Sequence, residues 1–266
     1  MAMDRRDFLK IAGLTALLGI GGKTGLELLA PADVDAALKD VPLAAGKKWG
    51  MVLDVLLLDE AVMDACIEAC HRHNNVPRIG NPKEELKWIW KETYDHAFPE
   101  QGTEYLAERF KEKNFLVLCN HCTNPPCVRV CPTKATWKRE DGIVMMDMHR
   151  CIGCRFCMAG CPYGARSFNW RDPRKAPQEL NPDFPTNPEL PTRAMGVVEK
   201  CTFCAERLAK GLFPACVEAA AKVKPNAVLF GDMDDPQSEV RKALRTRYSI
   251  RRKPVLGTGP NIFYMI

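Results

Sequence analysis

Thirteen cysteines punctuate this chain of 266 residues, and their spacing is that of metal ligands. Cys119, Cys122, Cys127 and Cys131 form one run, closed by Pro132. Cys151, Cys154, Cys157 and Cys161, closed by Pro162, form a second, and Cys201, Cys204 and Cys216 a third. A sparser pair, Cys66 and Cys70, lies upstream in EAVMDACIEACHRHNN, residues 60–75. An odd total in a chain of this length reads poorly as a disulfide framework. The second run, Cys-x2-Cys-x2-Cys-x3-Cys-Pro, is the thiolate pattern that wraps cubane iron–sulfur clusters.

In such a run, three close thiolates take one cluster and the fourth ligates its neighbour. Crossover therefore assigns Cys119, Cys122, Cys127 and Cys161 to cluster one, and Cys151, Cys154, Cys157 and Cys131 to cluster two. The proline after each fourth cysteine suits a helix start or tight turn, where a missing N–H costs little. Structural zinc is the competing reading of any Cys-x2-Cys pair, but it needs four ligands in one tetrahedral knot. Two complete four-cysteine runs lack that form, and zinc stays open only for the third group taken alone.

The outer groups read together on the same pattern. Cys66 and Cys70 fill the third and fourth slots of a run whose first two hold Glu60 and Met63, while Ala220 stands in the fourth slot after Cys201, Cys204 and Cys216. Crossover gives cluster three the ligands Cys201, Cys204, Cys216 and Cys70. A fourth cluster would have Glu60, Met63, Cys66 and Ala220, with one cysteine among them. The expected cofactors are three 4Fe-4S clusters on twelve cysteines, with Cys66 left over as a small buried hydrophobe. A mononuclear metal held there with His71 or His73 is the lesser alternative.

The elements that must present these loops are short. Ala135–Lys138 and Ile143–Asp147 flank Glu140-Asp141-Gly142 and predict a hairpin, and Phe115–Leu118 and Ala227–Phe230 predict strands. The expected fold is α+β and loop-rich: two interleaved bacterial-ferredoxin-like modules with short strands and helices. Residues 33–80 and 198–235 form the outer, single-cluster module and 114–170 the inner, two-cluster one. Residues 81–113 are an insertion whose Trp88, Trp90 and Tyr94 read as core. Residues 171–197 are a proline-rich connecting loop, suited to lying across a partner. Residues 236–266 form a basic helix and tail; Arg241 to Lys253 carries seven basic residues, read by default as a solvated face.

Residues 1–32 stand apart. Arg5-Arg6-Asp-Phe-Leu-Lys10 and the uncharged stretch Ile11 to Gly22 have the form of a twin-arginine export signal, with Ala30-Pro31-Ala32 as a small-residue cleavage site. The stretch falls short of the ~20 residues of a simple spanning helix. Export of folded cargo suits a protein that must take up its metal first. A net charge of +5, without a concentrated basic stripe, argues against nucleic acid. Arg150, Arg155 and Lys200 are the cations placed by sequence to offset cluster charge. No flavin or molybdopterin signature accompanies the cysteines.

These motifs resemble the ferredoxin-like, usually four-cluster, iron–sulfur subunits that serve molybdopterin oxidoreductases, polysulfide and tetrathionate reductases and quinone-linked complexes. Gly50-Met51-Val52, Cys161-Pro-Tyr-Gly-Ala-Arg166, Lys200-Cys-Thr-Phe-Cys204 and Pro260-Asn-Ile-Phe-Tyr264 carry the resemblance beyond the cysteines, over roughly residues 48–266. The signal and Ser167-Phe-Asn-Trp-Arg-Asp-Pro173 look most like the branch serving the Dsr transmembrane complexes of sulfur metabolism. The resemblance implies a non-catalytic electron relay at the periplasmic face of the cytoplasmic membrane. Its implied partners are a polytopic quinone-interacting membrane subunit and a periplasmic multihaem cytochrome or catalytic subunit. Membrane association would come through partners or an uncleaved signal. The electron-transfer subunit of an exported molybdopterin oxidoreductase is the alternative, and a zinc-binding structural protein the remote one.

Overall fold

The computed structural model describes residues 47–173, 187–190 and 193–266. The twin-arginine segment and most of the proline-rich loop lie outside the described residues. No helix among the described residues is long and apolar enough to cross a membrane.

Strand β1 (Trp49–Asp54) leads into helix α1 (Glu60–His73). Asp59 caps α1 by accepting from the Val62 N–H at 3.0 Å, and Glu60 at its start and His71, Arg72 and His73 at its end complement the helix dipole. Its buried residues, Val62, Met63, Cys66 and Cys70, recur at helical spacing on one face. Strand β2 (Ile89–Thr93) pairs antiparallel with β3 (Asn114–Leu118), Ile89 opposite Leu118, and short helices α2 (Tyr94–Ala97) and α3 (Glu108–Lys111) fill the connection. Trp88, Trp90 and Tyr94 are buried there, as expected of core residues. Phe98 meets Tyr264 edge-on at 4.9 Å and Phe115 at 5.3 Å, binding the connection to the C-terminus.

Next come α4 (Pro126–Arg129), the hairpin β4 (Thr136–Lys138) and β5 (Val144–Met146), and α5 (Phe156–Ala159). Gly142, at φ +84°, makes the hairpin turn where the Asp-Gly pair predicts it. Strand β6 (Ser167–Phe168) pairs antiparallel with β7 (Val198–Glu199). Helices α6 (Ala205–Ala209) and α7 (Ala215–Val223) lead to β8 (Val228–Asp232), and α8 (Glu239–Thr246), β9 (Ser249–Ile250) and β10 (Ile262–Met265) complete the chain. One sheet has the order β8-β1-β10-β9, with β1 and β10 parallel and the other pairs antiparallel. Helix α7 packs on α1, with Cys216, Val217 and Ala220 as its buried residues.

The basic C-terminal segment is more than a solvated face. Arg247 pairs with the buried carboxylate of Asp54, Nη1 to Oδ2 at 2.5 Å, and Arg252, itself buried, donates to the Ala97 carbonyl at 3.0 Å. Lys253 Nζ donates to the Pro162 carbonyl, beside Cys161. Exposed Lys242 and Arg245 keep the expected character.

Candidate metal centres

Three Cys-x2-Cys loops share one backbone device. The residue just before the second cysteine is left-handed in each: His121 at φ +42°, Gly153 at +72° and Phe203 at +55°. That turn directs main-chain N–H groups at sulfur; Phe203 N–H points at Cys201 Sγ from 3.5 Å. Only Gly153 is the residue type that adopts the region freely. A Cβ there would also meet the Gly196 carbonyl oxygen at 2.2 Å. His121 and Phe203 are held by each other instead, rings stacked at 3.7 Å. His121 is fully buried, and its Nδ1 accepts from Val144 N–H at 3.1 Å; burial, then Lys200 and Arg166, hold it neutral, well below the usual histidine range.

Each loop is delivered by an ordered element. Strand β3 ends at Leu118, just before Cys119, and β7 leads through Lys200 to Cys201, while the third cysteines ride on α4 (Cys127), α5 (Cys157) and α7 (Cys216). The segment before β10 braces the first loop: Thr123 N–H donates to Gly259, Asn261 N–H to Asn120, and Asn261 Nδ2 to the His121 carbonyl at 2.6 Å.

One sequence-derived set shares a single cavity, and most members of the other two lie near one another. Cys70, Cys201, Cys204 and Cys216 line a single cavity with apolar walls from Trp88, Ile89, Leu118 and Phe203. Burial pushes the Cys201 thiol up to about 12 and Cys204 to about 11. Asn74, also on the wall, approaches Cys70 Sγ at 3.6 Å. Cys122 is raised to about 12, first by burial and then by the charge of Cys119, Cys161 and Cys127, so these four are close neighbours. In the remaining set, Cys157 is buried, Cys131 and Cys151 pack against the same small core, and Val198 N–H points at Cys151 Sγ from 3.5 Å. Cys154 alone of the thirteen cysteines is exposed.

The sets also have neighbours. Cys201 feels Cys119, and Cys157 feels Cys127. Cys201 and Cys119 are thus near enough to influence each other, as are Cys157 and Cys127. The four buried thiols of Cys70, Cys201, Cys204 and Cys216 suit a soft cationic centre, because thiolates without one would repel each other in a medium that solvates them poorly. A single zinc, at about 2.3 Å from each sulfur, would draw four sulfurs to about 3.8 Å apart. Among the described residues, the only three candidate ligand atoms within 4.8 Å of one another belong to His73, Cys204 and Glu206. The thiol sets are thus more open than a zinc knot and fit a larger cluster. His73 Nε2 is hydrogen-bonded to Glu206 at 2.7 Å, beside Cys204.

Glu60, Met63, Cys66 and Ala220, the residues that spacing leaves without a full ligand set, divide between surface and core. Glu60 turns outward to Lys91 Nζ at 2.5 Å and Asn114 at 3.0 Å, while Met63, Cys66 and Ala220 are buried where α1 meets α7. Cys66 Sγ donates to the Cys216 carbonyl at 3.4 Å.

Of the cations expected from sequence, only Lys200 is buried; its Nζ donates to the Val144 and Cys201 carbonyls. Arg150 is exposed beside Asp147, and Arg155 is exposed over the Phe168 and Trp170 rings. The cation missed is Arg166, 4% exposed and in contact with Cys127 and Cys157. Also missed is Glu199, fully buried, which accepts from Trp88 Nε1 at 2.7 Å and lies 3.0 Å from Arg193 Nε. Nothing in spacing marks either residue, although Arg166 ends a motif already singled out.

Residues 113–176 match the family described as a 4Fe-4S dicluster domain. The protein is 39% identical over 280 residues to the Hdr-like menaquinol oxidoreductase iron–sulfur subunit 1 of Archaeoglobus fulgidus, with 98% of its own length and 97% of that relative covered. It is 36% identical to the menaquinone reductase iron–sulfur cluster-binding subunit of Nitratidesulfovibrio vulgaris, covering 82% of its own length and 88% of the relative. Identity to the B subunit of polysulfide reductase from Wolinella succinogenes is 36%, covering 82% and 93%.

Proposed function

Because this chain belongs to the family of iron–sulfur electron-transfer subunits of oxidoreductase complexes, we propose that it relays single electrons through three 4Fe-4S clusters. It is an electron-transfer subunit of a respiratory complex, not a catalytic one. Cluster one takes Cys119, Cys122, Cys127 and Cys161; cluster two takes Cys131, Cys151, Cys154 and Cys157; cluster three takes Cys70, Cys201, Cys204 and Cys216. When bound, such clusters accept and release one electron at a time without making or breaking a substrate bond. Four thiolates per cluster leave no open iron for substrate.

The observation that carries this reading is the cavity where Cys70, from α1, joins Cys201, Cys204 and Cys216, more than 130 residues downstream. The pairing of β1 with β8 and the packing of α1 on α7 support an outer ferredoxin-like module interleaved with an inner one. Neighbour relations support the order three, one, two. Exposed Cys154, flanked by exposed Ile152 and Phe156, marks the end of the relay where a redox partner docks.

The complex couples a polytopic quinone-interacting membrane subunit to a periplasmic multihaem cytochrome or catalytic subunit in sulfur metabolism, after twin-arginine export. The names of the menaquinol- and menaquinone-linked relatives support the quinone side. Similarity to the polysulfide reductase B subunit favours, as a second reading, service to an exported molybdopterin enzyme. Iron and sulfide analysis with EPR on the purified complex tests the cluster count. About twelve irons per chain are expected, four for each 4Fe-4S cluster; about eight or about sixteen overturns the count, and zinc in place of iron overturns the reading.

A further inference from the structure

Arg166 follows the Cys161-Pro-Tyr-Gly-Ala motif and is drawn into the protein between two thiol sets. Its Nη2 donates to Thr136 Oγ1 at 2.7 Å, and its Nη1 lies 3.6 Å from Met146 Sδ. Met146 packs in one buried cluster with Cys127 and Cys157, and Arg166 reaches both of these thiols, with Cys119 and His121 also close. No carboxylate among the described residues pairs with it, in contrast to Arg193, which has Glu199, and Arg247, which has Asp54. A buried guanidinium without a carboxylate is costly unless other negative charge faces it. Thiolates holding a cluster would supply that charge here. Lys200, also buried, takes the corresponding place at the other junction, beside Cys201.

We infer that Arg166 is a potential-setting residue shared by clusters one and two, a fixed positive charge at their junction that favours the reduced form of both. The inference rests on the reading of these two sets as cluster ligands. Reduction adds one negative charge to a cluster, and a cation held nearby in a poorly screened interior stabilises that added charge more than it does in water. Arg166 stays charged at any working pH, so its effect does not depend on its own titration. Lys200 serves cluster three at its own junction, which divides the relay between two cations.

The test is a redox titration of the full complex followed by EPR, with iron measured on each sample. Arg166→Gln keeps a donor for Thr136 and removes the charge. It is expected to lower the midpoint potentials of clusters one and two and to leave that of cluster three in place. Arg166→Lys is expected to bring both potentials back towards the wild-type values. A fully iron-loaded glutamine variant with unchanged potentials, or an equal fall in all three clusters, overturns the inference. So does loss of iron from both sets in the lysine and glutamine variants alike, because the residue is then structural rather than a source of charge. Wild-type iron near eight or sixteen per chain, four irons being held by each cluster, instead strikes the underlying cluster count and is visible in the same samples.

Discussion

Cys66 and Cys216 meet where α1 packs on α7, with the Cys66 thiol donating to the Cys216 carbonyl oxygen at 3.4 Å. The Cys216 side chain meanwhile lines the cavity shared with Cys70, one helical turn beyond Cys66. Two cysteines of one helix thus serve opposite ends: one lines a thiol-rich cavity, the other ties two helices together. Ala220, one turn beyond Cys216 on α7, is fully buried as well.

Cys66→Ala is therefore expected to keep full iron content and to lower stability by about 1 kcal/mol, the usual worth of a buried hydrogen bond. Burial pushes the Cys66 thiol up to about 12. The neutral thiol is the form present below that value, so alkylation of the native protein at Cys66 should stay slow from neutral to mildly alkaline pH. An ordinary thiol would already react there. Mass mapping of alkylated peptides across this range checks it, and fast labelling of Cys66 in mildly alkaline buffer would count against the buried position.

Cys70→Ser should behave in the opposite way. It is expected to remove or degrade cluster three and spare the other two, lowering iron from about twelve to about eight per chain at four irons per 4Fe-4S cluster. Iron analysis with EPR of the remaining centres gives the answer. Retention of every signal would remove Cys70 from the ligand set.

At Gly153, alanine must adopt φ +72° and place its Cβ 2.2 Å from the Gly196 carbonyl oxygen. The loop between Cys151 and Cys154 cannot hold its shape under that clash. Gly153→Ala is expected to lose cluster two selectively, with the EPR signals of the other clusters intact. A fully loaded alanine variant would show that the loop yields without cost.

Glu199 is buried against Arg193, Trp88 and Asn169, and Arg193 in turn donates to the Asn74 carbonyl at 2.7 Å. The network fastens β7 to the end of α1 that carries Cys70. Glu199→Ala leaves a buried guanidinium unpaired and should cost roughly 3–5 kcal/mol, read as a lower thermal transition of the loaded protein. Glu199→Gln keeps the acceptor for Trp88 and should fall between the alanine variant and wild type.

Much of the site was legible because cluster ligation writes itself into short spacings. The run from Cys151 to Cys161, the hairpin turn at Gly142 and the strand before Cys119 could all be read locally. Arg166 and Glu199 could not. Both are charged residues of ordinary spacing, and what distinguishes them is burial, with partners as distant in sequence as Thr136 for Arg166 and Trp88 for Glu199. The C-terminal basic segment misled for the same reason: Arg247 and Arg252 look like surface charge until Asp54 and the Ala97 carbonyl are placed beside them.

By itself the sequence determined which cysteines form loops and which helix slots lack one, because a ligand loop is a matter of a few consecutive residues. Only the tertiary structure decided that Cys70, Cys201, Cys204 and Cys216, already grouped by spacing, line one cavity whose walls are Trp88, Ile89, Leu118 and Phe203. It also decided that Arg166 and Lys200 are buried while Arg150 and Arg155 are exposed. Those relations depend on charges brought together through space and on how little water remains around them, and neither is recorded in the order of residues along the chain.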